Sequence, residues 1–115
     1  VLVDADRMAE LNEQAMGKSG PTDVLSFPLE TLAPGVVPVV DPAGPPLHVG
    51  DVFVCPEVVR TNTSASGARF EDELALMVVH GSLHLLGYDH VEDDDAELME
   101  SRERRLLAMA GRARP

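Results

Sequence analysis

The sequence predicts an α+β fold with a metal site at the end of a central helix, and three observations carry this. Three segments place apolar residues at helical spacing, and two short runs, Asp23–Phe27 and Val49–Cys55, read as strands bounded by proline or glycine. The third is the run from His80 to His90, in which three of the four histidines stand at metal-ligand spacing.

Along the chain, Asp4 or Asp6 is placed to cap a first helix whose apolar face is Met8, Leu11 and Ala15. Gly17-Lys18-Ser19-Gly20-Pro21 breaks that pattern, and the first strand follows, closed by Pro28. From Ala33 to Pro46 the chain is rich in proline and glycine and has no period of its own, which predicts a long loop. In the second strand Val52 and Val54 fall on one side, and Asp51, Phe53 and Cys55 on the other. Asp51 is either solvated near a strand end or a partner for a histidine N–H.

A short helix is expected after Pro56, ending at Gly67. The strongest helical signal covers Phe70–Leu86, where Phe70, Leu74, Met77, Val78 and Leu85 recur at helical spacing and Glu71, Asp72 and Glu73 occupy the first turn. A last helix is expected from Asp94 to Ala110, with Leu98, Leu106 and Met109 inward, arginines outward and Gly111 as its stop; residues 111–115 read as a tail.

At 115 residues the chain is read as one domain, 1–115, with a single modest core. It begins at Val1 inside an apolar pattern, Val1-Leu2-Val3, which predicts that an amino-terminal element is missing. No apolar run approaches the ~18 to 20 residues that span a bilayer, and no basic-then-apolar leader is seen, so a soluble cytoplasmic protein is expected. One cysteine, Cys55, excludes an internal disulfide, and its apolar strand context predicts a buried inert thiol over a fourth metal ligand. A net charge of −11 argues against a general nucleic-acid binder. Eight acids lie between Asp89 and Glu103 while arginines gather at the carboxyl end, so any polyanion contact has to be local. The run Glu92-Asp93-Asp94-Asp95 is read as a solvated helix start that complements the helix dipole.

His80 and His84 lie one turn apart on one helical face, and Gly87 lets the chain reverse so that His90 returns to them. Three neutral imidazoles suit Zn²⁺ with an open fourth position. The spacing also fits the protease pattern H-E-x-x-H-x-x-G-x-x-H, except that Gly81 occupies the place of the general-base glutamate. A zinc ion brings the pKa of water toward ~7, so that hydrolysis is possible without that carboxylate. Asp89 either orients a histidine, accepts a proton or only caps the turn, while Ser82 and Tyr88 are either substrate contacts or ordinary polar side chains at the surface; the general base is left unassigned.

His80–His90 resembles the motif H-G-x-L-H-L-x-G-Y-D-H of the YbeY family of endoribonucleases and matches it throughout. Pro21-Thr22-Asp23-Val24-Leu25-Ser26-Phe27-Pro28 is similar to the family's second signature, and Gly50-Asp51-Val52 to its glycine-aspartate strand start. The resemblance implies a small mixed β-sheet flanked by helices and a Zn²⁺ ion on His80, His84 and His90. It also implies cleavage of single-stranded ribosomal RNA in small-subunit maturation and ribosome quality control, with no role for DNA or membrane and no oligomeric state specified. Many members carry an arginine before the P-T-D-V motif; the corresponding residue here is Met16, with Lys18 the only nearby cation. The rival readings are a metal-stabilised ribosome assembly factor that cleaves nothing and a metalloprotease-like hydrolase.

Overall fold

Asp4 is the residue that starts the first helix. In the computed structural model, which describes residues 1–115, its side chain accepts a hydrogen bond from the Arg7 backbone N–H (2.8 Å), and helix α1 runs Ala5–Met16. Gly17, at φ 65°, closes it. The inward face is Met8, Leu11 and Asn12, and the expected Ala15 is exposed. The last turn of α1 overshoots the core, and Asn12 is tolerated inside because its amide donates to the Gly20 carbonyl (2.9 Å).

Strands β1 (Val24–Pro28) and β2 (Gly50–Val54) pair antiparallel, with Val24 opposite Val54 and Pro28 opposite Gly50. Leu2 adds a single parallel bridge to Val54, so the mixed character of the sheet is confined to that contact. The two faces of the sheet have different partners, as the period of two requires. Leu25 and Cys55 form a buried cluster with Met8 and Leu11 of α1, against which Phe27 and Phe53 pack. The opposite face, with Val24, Ser26 and Val52, lies against the third helix. Cys55 is thus fully buried in the core, as expected of an inert thiol. The segment between the strands has no helix or strand over residues 29–49, and its Val36, Val37, Val39 and Val40 are exposed.

Helix α2 (Pro56–Ser66) begins on Pro56 and stops at Gly67 (φ 78°). Helix α3 (Phe70–Leu85) is central, touching both strands, α2 and α4. Its buried residues are Leu76, Gly81, Leu83 and Leu85, whereas Val78, expected inward, is 46% exposed. A helix apolar on most sides is not assigned a single inward face by periodicity; the sheet selects the face here.

Helix α4 (Asp93–Met109) corrects the expected register more sharply. Met99, Glu103 and Leu107 point inward, while Leu98, Leu106 and Met109 are 41%, 40% and 78% exposed. Two rows one residue apart compete for the inside, and the winning row is the one with a carboxylate in it. The tail, read from the sequence only as a tail, folds back through its two arginines. Arg112 pairs with Asp72 of α3 (2.7 Å), and the Arg114 Nε–H donates to Glu103 (3.0 Å). No helix is long and apolar enough to cross a membrane.

Candidate metal centre

His80 and His84 occupy the last two turns of α3, and their Nε2 atoms are 3.1 Å apart. After Leu86 the chain turns at Gly87 (φ 93°), where the Gly87 N–H donates to the His84 carbonyl and the Tyr88 N–H to that of Leu83. A Cβ at position 87 would overlap the Leu32 carbonyl of the long loop, so both the positive φ and the close approach require glycine. The reversal carries His90 back, its ring centroid 5.3 Å from that of His80 and 5.1 Å from that of His84. One ligating atom from each of the three histidines lies within 4.8 Å of the others.

The hydrogen bonds around the rings decide what those atoms are. His80 Nδ1 is 3.1 Å from the Glu103 carboxylate, and His84 Nδ1 is 3.0 Å from the Tyr88 carbonyl. Both partners are acceptors, an arrangement that favours the proton on Nδ1 of each ring and leaves Nε2 to present a lone pair. With the protons on Nδ1, the two Nε2 atoms 3.1 Å apart are placed so that both could bind one cation. A tetrahedral ion with bonds of ~2.0–2.1 Å would set its ligand nitrogens about 3.3 Å apart, so the donor set fits a metal such as zinc. Burial lowers the pKa of the His84 ring below the usual histidine range, helped by the adjacent His80, with the Tyr88 carbonyl opposing. A ligand that stays neutral suits a metal centre.

A cleft of about 700 Å³ opens over the histidines and is walled by α1, β1 and the Gly87 turn. Of the residues the sequence nominated, Met16, Lys18, Tyr88 and Asp89 line it. Asp89 accepts from the His90 backbone N–H (2.7 Å), which is the turn-capping role. Ser82 lies outside the cleft, its hydroxyl donating to the Val78 carbonyl (2.7 Å). Asp51 contacts His48 (3.2 Å) and none of the three clustered histidines. The acids from Glu92 to Asp95 are exposed at the start of α4.

Sequence reasoning did not pick out Glu103, Arg114, Asp23 or Asn12. Glu103 had one signal, a charge on the four-residue spacing between Met99 and Leu107. Arg114 adds a second cation beside Lys18, at another opening that His80 and His90 share. Asp23 lies in the cleft, accepting from the Val24 N–H (2.8 Å).

Gly81 acquires a structural reason. Its α-carbon faces the sheet, where an added Cβ would stand 2.5 Å from Val52 Cγ1 and 3.1 Å from Val24 Cγ2, and its carbonyl accepts from the Ser26 hydroxyl (2.9 Å). A glutamate there would drive α3 off the strands. The position that supplies the base in the protease pattern is a helix–sheet contact in this molecule.

Fold and site together define a small α+β protein with a three-histidine cluster of metal-centre dimensions, open to a cleft. The sequence profile of Endoribonuclease YbeY matches residues 1–111. The protein of that name from Acidothermus cellulolyticus is 47% identical over 108 residues, covering 93% of this chain and 66% of its own length. That from Micrococcus luteus is 47% identical, covering 99% and 71%, and that from Nocardia farcinica is 47% identical, covering 93% and 58%. A solution structure from Thermotoga maritima superposes with a TM-score of 0.60 at 38% identity, covering 91% of this chain and 61% of that one. The chain belongs to the Endoribonuclease YbeY family and spans from 58% to 71% of the length of these curated relatives.

Proposed function

We propose that residues 1–115 act as one metal-dependent hydrolase domain, a zinc-dependent, single-strand-specific endoribonuclease. Its place is small-subunit ribosomal RNA maturation and ribosome quality control in the cytoplasm, with single-stranded ribosomal RNA and the small subunit as partners. The observation that carries the reading is the pair of Nε2 atoms 3.1 Å apart, with His90 beside them, in a member of an endoribonuclease family.

His80, His84 and His90 are the proposed ligands. When bound, zinc supplies Lewis acidity, acidifying water and polarising a phosphoryl oxygen. The residues of the chain do the rest. The Glu103 carboxylate and the Tyr88 carbonyl hold the two helical rings in their tautomers. Lys18, on the cleft wall, offers the cation for a phosphate. Asp23 and Asp89 each accept a backbone N–H on Oδ1, which leaves Oδ2 to receive a proton. Lys18 in the cleft makes a local phosphate contact compatible with the net charge of −11.

Met16 favours a second reading. Its thioether lines the cleft and leaves Lys18 as the only Lys or Arg there, which is compatible with an assembly factor that binds ribosomal RNA and cleaves nothing. Incubating zinc-loaded protein with single-stranded ribosomal RNA and with a denatured protein, beside His84→Ala, separates these readings. RNA cleavage that disappears in the variant is the expected result. Binding without cleavage supports the assembly factor, peptide cleavage the protease, and RNA cleavage that survives the substitution sinks the zinc mechanism.

A further inference from the structure

Glu103 is the one buried carboxylate of the chain, 2% exposed on the inward row of α4. A charge in that place is tolerated only if its oxygens are paired. Oε1 is 3.1 Å from His80 Nδ1, and Oε2 accepts from Arg114 Nε at 3.0 Å. The Arg114 guanidinium also approaches Glu100 through Nη2, at 3.9 Å. The tail is brought there by its own backbone, the Arg112 N–H donating to the Leu107 carbonyl (2.9 Å).

The geometry points to Glu103, clamped by Arg114, as the positioning residue of His80. This rests on the reading of His80 as a metal ligand. Glu103 fixes the ring's tautomer and its plane, so that Nε2 faces His84, and as a carboxylate it makes the imidazole a stronger donor than a neutral carbonyl would. Arg114 fixes Glu103 in turn and balances its charge, keeping the anion from adding to the field that a phosphodiester meets. His84 has no such arrangement, since its Nδ1–H donates to the main chain at Tyr88.

Two readouts test the clamp, and neither is activity. In metal-free protein, above the usual histidine titration range, ring ¹⁵N shifts are expected to show His80 protonated on Nδ1. Glu103→Gln is expected to blur that tautomer, because an amide can donate as well as accept. It should weaken Zn²⁺ binding, measured by chelator competition, by roughly 10- to 100-fold. Arg114→Ala, which leaves the helix intact, is expected to weaken binding several-fold, with Arg114→Lys recovering part of the loss. A folded Glu103→Gln protein that binds Zn²⁺ as tightly as wild type overturns the inference, as does a wild-type His80 protonated on Nε2. If Glu103→Gln does not fold, undiminished binding by Arg114→Ala overturns it. Wild-type protein that binds no Zn²⁺ sinks the metal reading itself, and this inference with it; the wild-type arm thereby separates the two failures.

Discussion

The two helical histidines and the loop histidine reach the same point by different means. His80 and His84 are half-buried on a helix that touches both strands and two other helices, and each has its Nδ1 paired. His90 is exposed on the segment after Gly87; what fixes it is its backbone N–H on Asp89 and the turn before it. Two of the proposed ligands are therefore set in place by the fold, and the third is set by one glycine and one cap. In the proposed metal centre the first pair would provide geometry and the third closure.

The largest effect is expected when one of the two helical histidines is removed. His84→Ala is expected to lower Zn²⁺ affinity by well over the roughly 100-fold that bounds the loss of an outer partner, and to abolish RNA cleavage. His90→Ala should lower affinity by less, because two oriented nitrogens remain. Isothermal titration of both variants decides it, and a larger loss for His90→Ala would reverse the ranking of helix over loop.

Gly87→Ala attacks the loop side alone. A left-handed φ of 93° and overlap with the Leu32 carbonyl act together. A cost on the order of 2 to 4 kcal/mol is expected, together with weakened metal binding through His90. Gly81→Ala attacks the helix side at its seat on the sheet, where Val52 is a stiff neighbour. About 1 to 3 kcal/mol is expected from overpacking. Its predicted signature differs: thermal unfolding shifts down while the Zn²⁺ affinity of the folded protein changes little. Affinity falling in step with stability in Gly81→Ala would show that the helical pair is less rigid than its contacts imply.

The same contrast separates what the sequence disclosed from what it concealed. The spacing of His80, His84 and His90, the stop at Gly87, the strands around Leu25 and Val52 and the stop at Gly67 are all local, and local rules found them. Glu103 was hidden because periodicity favours the row of Leu98 and Leu106 over a row containing a charge. Only the partners His80 and Arg114, 23 and 11 residues away, make the charged row the better one inside. Asn12 displaced Ala15 for a similar reason, its amide having found the Gly20 carbonyl. Asp23 was in view as part of a strand motif, but its place on the cleft wall depends on how β1 lies beside α3. The reason for Gly81 was likewise tertiary. The resemblance of the motif showed that the glutamate was absent, and Val24 and Val52 show why a side chain there is excluded.

The smallest expected effect concerns pH and belongs to the helical side, because His84 is the ring whose pKa is lowered by burial. In unfolded chain this imidazole protonates as the pH falls through about 6.5, while in the folded protein it stays neutral to a lower pH. Between those two values the unfolded state binds more protons. The stability that His84 contributes is thus fully present above about pH 6.5 and declines as the pH falls toward the folded pKa. Urea unfolding of the metal-free protein across this window, for wild type and for His84→Asn, isolates the contribution as a difference in slope. Wild type is expected to lose stability more steeply on acidification than the variant. Equal slopes would mean that the ring is open to water in solution, so that the fold does not hold the second helical histidine neutral.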